Sequence, residues 1–233
     1  LFFTEKPVRD DGHMMGAKYY YSFEQGDSLF VVIDPWKSWW EFNTDPAHLP
    51  WQVQKRWIEH VLAVNKKHWS IVICHFPVYC DGNYDSDTNE PLAILRRELV
   101  PIFDRYGVDL VVSGHDHTYQ RTYLISGHLG NRNEFDSRLH LRSTSDGVME
   151  TIVKQAGPDT GTVYVVSGTG GGVRANGPLQ HPALVPLPKA KEGQRGLTKP
   201  GSLLLEIGRE ELECFQVGMA GEVLDRFRMR KPK

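Results

Sequence analysis

The sequence predicts an α/β fold in which short parallel strands alternate with helices. Two runs carry this prediction, because each is rich in Val and Ile and ends in turn residues, as buried parallel strands do: residues 69–74 and 108–112. Between them, Leu and aromatic residues recur at three- and four-residue steps over 92–106, the pattern of an amphipathic helix. A right-handed crossover through this helix would make the two strands parallel and bring their carboxyl ends to one side of the sheet.

The elements before the first run are predicted to be a hairpin and a helix. Strands are expected at 19–23 and 29–34, joined through the turn residues Gln25-Gly26-Asp27. Residues 35–50 are rich in Pro and Trp and are expected to form a long surface connection. A helix is then predicted over 51–67. Its expected core stripe consists of Val53, Trp57, Ile58, Val61 and Val64.

Pro101 interrupts the apolar pattern of the second helix. Proline lacks a backbone N–H group, and its ring clashes with the preceding helical turn. We therefore expect a kink or a break near Val100 rather than one straight helix.

The C-terminal half is predicted to alternate between long polar connections and strands. Residues 127–160 are expected to be an excursion with little core, and residues 173–200, which contain five prolines, a second long loop. A strand is predicted between them at 162–167. The chain is then expected to end in a β-meander. Its strands are predicted at 202–207, 211–216 and 222–229.

Composition restricts the function that the chain can serve. The 233 residues carry a formal net charge of −2, which gives no support for a nucleic-acid or membrane-surface partner. No apolar stretch approaches the roughly 20 residues that span a bilayer. Three cysteines are too few for a disulfide scaffold; Cys74 is read as a buried strand residue, and a bond to Cys80 stays an alternative. The oligomeric state cannot be read from the sequence.

Histidines follow both predicted strands, which indicates a metal site. His75 comes directly after the first strand, and His115 and His117 follow the second. Ligands in open α/β sheets collect beyond the carboxyl ends of the strands. If the backbone is extended here, His115 and His117 face one centre and Asp116 faces away, in a supporting role. For Tyr119 and Arg121, both a role in the substrate pocket and ordinary packing are open.

The other seven histidines show no ligand spacing, and for each of them a solvated surface position is expected. They are His13, His48, His60, His68, His128, His140 and His181.

The motifs around these histidines resemble those of the calcineurin-like metallophosphoesterases. Val72-Ile-Cys-His75 matches the Val-x-x-His motif of that family, and Gly114-His-Asp-His117 matches its Gly-His-x-His motif. The flanking segments Tyr20-Tyr-Ser-Phe23 and Thr162-Val-Tyr-Val-Val-Ser-Gly168 are similar to the purple acid phosphatase branch. The resemblance runs from about Tyr19 to the C-terminus, with several motifs in the family's order.

The resemblance implies a fold of class α/β (α+β): a calcineurin-like four-layer sandwich of two mixed β-sheets flanked by helices, incomplete at the N-terminus. Residues 1–233 would form the C-terminal portion of a single metallophosphoesterase domain. The complete protein would hold two divalent or trivalent metal ions, Fe with Zn, Mn or Fe. His75 and His115 would bind one ion and His117 the other. The chain starts at Leu1 without an initiator Met, and the family's remaining ligand motifs are expected upstream of it.

Several segments imitate other ligand motifs and fail on inspection. The hairpin imitates Gly-Asp-x-x-Tyr, but Phe30 has no oxygen to bind a metal. Residues 82–84 imitate Gly-Asn-His but lie after His75, in the wrong order. Residues 168–172 could suggest a dinucleotide cradle, but no helix is predicted to follow. Residues 81–92 lack the Gly and Glu of a calcium loop, so this segment is read as the rim of a phosphate pocket.

The sequence therefore predicts a metal-dependent phosphoric ester hydrolase, most simply an acid-phosphatase-type phosphomonoesterase acting on a phosphate ester. A phosphodiesterase or nucleotidase using the same site is one alternative, and a truncated, non-catalytic remnant domain is another. The general acid cannot be assigned from the sequence. The family resemblance implies an exported, periplasmic or extracellular protein. This segment alone is expected to be a poor catalyst.

Overall fold

The computed structural model describes residues 19–35, 49–143 and 150–232. Its helices are α1 (Leu49–Val64), α2 (Glu90–Tyr106) and the short α3 (Ser137–His140), with a 3₁₀ turn at Arg132–Glu134. Its strands are β1 (Tyr21–Gln25), β2 (Ser28–Ile33), β3 (Trp69–Cys74), β4 (Leu110–Ser113), β5 (Tyr119–Arg121), β6 (Glu150–Val153), β7 (Val163–Ser167), β8 (Gly196–Leu197), β9 (Gly201–Ile207), β10 (Glu211–Gly218) and β11 (Val223–Arg230).

These strands form two mixed sheets. The larger has the order β1-β2-β3-β4-β7-β5-β8 and the smaller the order β6-β11-β10-β9. β2, β3, β4 and β7 run parallel, while β1, β5 and β8 are antiparallel to their neighbours. The predicted crossover from β3 through α2 to β4 is therefore confirmed, as are the meander of β9 to β11 and the two-sheet fold class.

The register of β3 and β4 determines where the histidines lie. Cys74, the last residue of β3, pairs with Ser113, the last residue of β4. The residues that follow both strands therefore emerge at the same edge of the larger sheet. Apolar side chains of β3 and β4 pack on both faces of the sheet, which holds this edge in place.

Helix α1 ends three residues before the predicted terminus, and its buried face differs from the predicted stripe. Trp57, Ile58 and Val61 are buried as expected, but Val53 and Val64 are 37% and 45% exposed. The buried face also includes Gln54, whose side-chain amide bonds both backbone groups of Asp34. A face centred near Gln54 leaves both valines roughly a quarter turn away, at the margin of the helix.

Helix α2 is continuous through Pro101, so of the two predicted alternatives near Val100 the break is wrong, and a kink stays a prediction. The ends of the helix are well defined: the Asn89 side chain accepts the N–H of Leu92, and Gly107 closes the other end in the left-handed region. An interior proline costs about 3 kcal/mol, whereas each fully buried Leu, Ile or Phe contributes about 1.5–3 kcal/mol. The helix buries five such side chains, which outweigh the proline: Leu92, Leu95, Leu99, Ile102 and Phe103.

Both predicted long loops carry more core than expected. The 127–160 excursion contributes β6, which pairs with β11 and buries Ile152 completely, and the 173–200 loop contributes β8 and several buried aliphatic residues. These loops also bury His128 and His181 beside Tyr79, so the expected surface positions of these two histidines are wrong. His13 and His48 lie outside the described residues.

The three cysteines are free and buried, so the alternative Cys74–Cys80 disulfide is not formed. None of the helices in the described part of the chain has the length and apolarity to cross a membrane.

Candidate metal centre

His75 and His115 meet at the carboxyl edge of the larger sheet. The Gly114 N–H donates to the His75 carbonyl over 3.1 Å, which ties the two strand ends together. His75 Nε2 and His115 Nδ1 lie 3.3 Å apart, and their rings cross at 76°. The predicted meeting of these two imidazoles is therefore present in the structure.

The backbone that presents His115 is not extended, contrary to the prediction for residues 115–117. His115 has a φ of 61°, in the left-handed region that few residues other than glycine adopt. The next N–H, that of Asp116, donates to the Gly114 carbonyl over 2.7 Å and tightens the turn. Such strained conformations cost of order 1–3 kcal/mol and cluster at functional sites. Here the turn coincides with the contact between His115 and His75.

The donor set fits a metal ion. Two imidazole nitrogens bound to one tetrahedral ion at about 2.0–2.1 Å lie roughly 3.3 Å from each other, the separation found between His75 and His115. Burial, with a smaller contribution from His75, lowers the pKa of His115 to about 4, and burial lowers the pKa of His75 as well. Both rings are therefore neutral at neutral pH, as metal ligation requires.

His117 is exposed and lies beside the glycine-rich segment after β7. Its carbonyl accepts the Arg174 N–H over 3.0 Å, and a Cβ on Gly172 would lie 3.4 Å from its Nδ1. In the described ranges, no three His, Cys, Asp or Glu side chains are grouped to hold an ion. Ligation by His117 therefore stays a prediction.

Asp116 is fully buried and anchors a neighbouring loop. Its Oδ2 accepts three consecutive backbone N–H groups, from Gly82, Asn83 and Tyr84, at 3.2, 2.9 and 3.1 Å. Its Oδ1 accepts the Thr118 hydroxyl at 2.7 Å. We call residues 80–87 the rim loop. A carboxylate that accepts four donors is held in place, so Asp116 fixes the rim loop to the histidine turn.

Tyr84 is the contact that sequence reasoning missed. Its ring stacks on the His115 imidazole, with centroids 4.2 Å apart and planes at 21°. Phe76 lies 4.4 Å from the same imidazole, centroid to centroid. The position of Tyr84 nine residues after His75 gives no local signal of this contact, since a loop of that length can fold in many ways. The His115 ring is thus fixed by aromatic neighbours as well as by its own turn.

Tyr119 and Arg121 lie between the two sheets. Both side chains are buried, and both donate to Asp225 on β11: the Tyr119 hydroxyl at 2.7 Å and the Arg121 Nε at 2.9 Å, each to Oδ2. Arg121 also stacks over the Phe227 ring. These contacts join β5 to the smaller sheet, as ordinary packing would, and a role of either residue in the substrate pocket stays a prediction.

We predict that Asp116→Asn lowers the free energy of unfolding by about 1–2 kcal/mol, because the amide keeps one acceptor oxygen but loses the charge that strengthens its bonds. Equilibrium urea unfolding measures the change. Zinc should still bind, because Asp116 is not one of the proposed ligands, but its affinity should fall as the rim loop loosens. Asp27→Asn is the control, because Asp27 is exposed and its nearest cation, Arg209, is 3.9 Å away. Loss of zinc binding in Asp116→Asn with little change in stability would contradict this supporting role.

Comparison with known proteins agrees with this geometry. The family model for calcineurin-like phosphoesterases matches residues 5–119. An uncharacterized protein of Mycobacterium tuberculosis is 32% identical over 137 residues, which cover 55% of this chain and 23% of that protein. A purple acid phosphatase of Glycine max is 27% identical over 113 residues, which cover 47% of this chain and 22% of that enzyme.

The solved structure of purple acid phosphatase PPD1 from yellow lupin superposes on 92% of this chain and 33% of that chain, with a TM-score of 0.58 and 18% identity. The resemblance to calcineurin-like metallophosphoesterases of the purple acid phosphatase branch is therefore confirmed. The chain spans less than a quarter of the length of the two sequence relatives.

Proposed function

From this likeness to purple acid phosphatases, we propose that the full-length protein is a metal-dependent phosphoric ester hydrolase of the acid phosphatase type. The observation that carries the proposal is the 3.3 Å approach of His75 Nε2 and His115 Nδ1 at the ends of two parallel strands. Two neutral imidazoles at ligand spacing on a sheet edge are an arrangement that binds a metal ion.

In this proposal, His75 and His115 hold one ion and His117 holds its neighbour. Two ions about 3.5–4 Å apart would clamp the phosphate and lower the pKa of a bridging water. Asp116 keeps the rim loop at the site, and Tyr84 and Phe76 keep the His115 ring in its orientation. No three His, Cys, Asp or Glu side chains are grouped to hold an ion in the described ranges, so the proposal takes the oxygen ligands of such a centre from outside them.

The metals proposed are Fe with Zn, Mn or Fe, the combinations that the family resemblance implies. An exported location is proposed on the same ground. The general acid is left unassigned, because the contacts of the described residues do not identify a group that would protonate a leaving alcohol.

The test is turnover by the metal-loaded full-length protein of an aryl phosphate monoester, the corresponding diester and a nucleoside monophosphate. We expect the monoester to be hydrolysed fastest and all turnover to stop after chelation. Faster diester or nucleotide turnover would favour the phosphodiesterase or nucleotidase alternative. A full-length protein that binds no stoichiometric metal and hydrolyses none of the three would be the non-catalytic remnant.

A further inference from the structure

Arg132 forms ion pairs with three carboxylates of the rim loop. Its Nε lies 3.0 Å from Asp87 Oδ2, and its two terminal nitrogens lie 3.2 and 3.1 Å from the two oxygens of Asp81. One of these nitrogens is also 2.9 Å from Asp85 Oδ2. The Arg132 backbone N–H donates to Asp87 as well, over 2.9 Å. One guanidinium thus joins the 3₁₀ turn of the 127–160 excursion to both ends of the rim loop.

The inner side of the loop is held by separate contacts. Arg96 of α2, which is 1% exposed, donates to Asp87 Oδ1 over 3.0 Å and to the Ser86 hydroxyl over 3.3 Å. The Gln180 N–H donates to Asp81 over 2.7 Å. Three carboxylates are therefore gathered within seven residues, and in the described part of the chain they face Arg132, Arg96 and the His181 imidazole, whose Nε2 lies 3.6 Å from Asp87 Oδ1. Removing Arg132 leaves one guanidinium for three acids, and their mutual repulsion then opposes the closed form of the loop.

Tyr84 lies in the chain between Asp81 and Asp85, two of the aspartates that pair with Arg132. Asp81 and Asp85 pair with each other across the turn as an isolated antiparallel bridge, so the turn they close contains residues 82–84. Tyr84 is the last of these three residues, and its ring stacks on the His115 imidazole. If the Asp81 and Asp85 ends separate, the three N–H groups on Asp116 and the ring contact are displaced together.

We propose that Arg132 is a positioning residue for the candidate metal centre, and that it acts through the rim loop by holding the Tyr84 ring against the His115 imidazole. The Arg132 guanidinium bonds to carboxylates of the rim loop. The effect on catalysis rests on the proposed function, whereas the effect on the His75–His115 pair does not. The 127–160 excursion thereby acquires a role at the site through Arg132.

The test compares Arg132→Ala with Arg132→Lys, Tyr84→Ala and the double variant Tyr84→Ala/Arg132→Ala. We expect Arg132→Ala to weaken Zn²⁺ affinity and to lower kcat/KM on an aryl phosphate by about tenfold, within the 10–100-fold range typical of residues that support metal ligands. Arg132→Lys should recover only part of the loss, because an ammonium cannot span three carboxylates. Amide exchange at residues 82–84 should be faster in Arg132→Ala.

Arg138→Ala is the matched control. Arg138 lies in the same excursion, but its side chain is 87% exposed and its ion pair is with Asp136, a residue of the excursion itself. We expect zinc affinity, turnover and amide exchange to be unchanged in this variant.

The double variant shows whether Arg132 affects zinc affinity by positioning Tyr84 or by stabilising the fold in general. If Arg132 acts through Tyr84, the double variant binds zinc as weakly as Tyr84→Ala alone, because the losses are not additive. Fully additive losses would overturn the proposal, as would unchanged zinc affinity and exchange in Arg132→Ala. A wild-type protein that hydrolyses no ester while Arg132→Ala still loses zinc affinity would refute the proposed function and leave the positioning role standing.

Discussion

Replacing His115 by Ala is expected to lower ester hydrolysis by the full-length protein at least about 100-fold and to remove most of the metal bound by the His75–His115 pair. Removing a residue that supports a metal ligand already lowers metal affinity or activity about 10–100-fold. Removing the ligand itself is expected to lower them further. The two ring nitrogens lie 3.3 Å apart, the spacing of two ligands on one ion. The variant removes one of them and leaves His75 as a single imidazole at the site. Metal analysis after dialysis and steady-state kinetics measure the two effects.

His140→Asn is the control for this variant. His140 lies in α3, and its Nδ1 accepts the Asp136 N–H over 3.0 Å, a bond that an Asn side chain can reproduce. We expect this variant to retain metal and turnover. A His115→Ala protein with its full metal content and turnover would show that the pair is not a metal site.

Replacing Asp225 by Ala is expected to lower the free energy of unfolding by about 3–5 kcal/mol, the cost of removing one partner from a buried ion pair. The Arg121 and Asp225 side chains are 2% and 3% exposed, so the variant would remove the Asp225 charge from beside a buried guanidinium. The Tyr119 hydroxyl would lose its acceptor in the same step. Equilibrium urea unfolding followed by circular dichroism measures the change.

Glu59→Ala removes an ion pair of the exposed kind and serves as the comparison. Arg105 in this pair is 62% exposed, and pairs of this type contribute about 0–1 kcal/mol. If the two variants lose similar amounts of stability, the Arg121–Asp225 pair does not hold the sheets together. Zinc affinity in Asp225→Ala tests the alternative that Arg121 belongs to the substrate pocket. Under that alternative, zinc affinity would fall more than the free energy of unfolding.

Several features of this protein are determined locally, and the sequence predicts them well. The apolar runs 69–74 and 108–112 give β3 and β4, and the stripe between them gives α2, because strand and helix periods are properties of neighbouring residues. Once the crossover is right-handed, His75 and His115 must emerge at one edge. The break that was one alternative for the region near Val100 is absent from this helix, because the burial of the whole helix face outweighs the single residue Pro101.

The precise arrangement of the site was decided by contacts between residues far apart in the chain. Asp116 holds backbone groups 32 to 34 residues away, Arg132 reaches carboxylates 45 and 51 residues away, and Arg121 pairs with Asp225 across 104 residues. The left-handed turn at His115 is also not encoded in local propensity.

The sequence by itself therefore determined eight of the described strands (β1–β4, β7 and β9–β11), the parallel pairing of β3 with β4, and which histidines stand at the ends of those two strands. Only the tertiary structure decided that Tyr84 and Phe76 contact the His115 ring, that His128 and His181 are buried, and that Arg132 pairs with the carboxylates of the rim loop. The physical reason is range: backbone periodicity acts over a few residues, whereas ring stacking, ion pairing and burial depend on which distant segments the folded chain brings together.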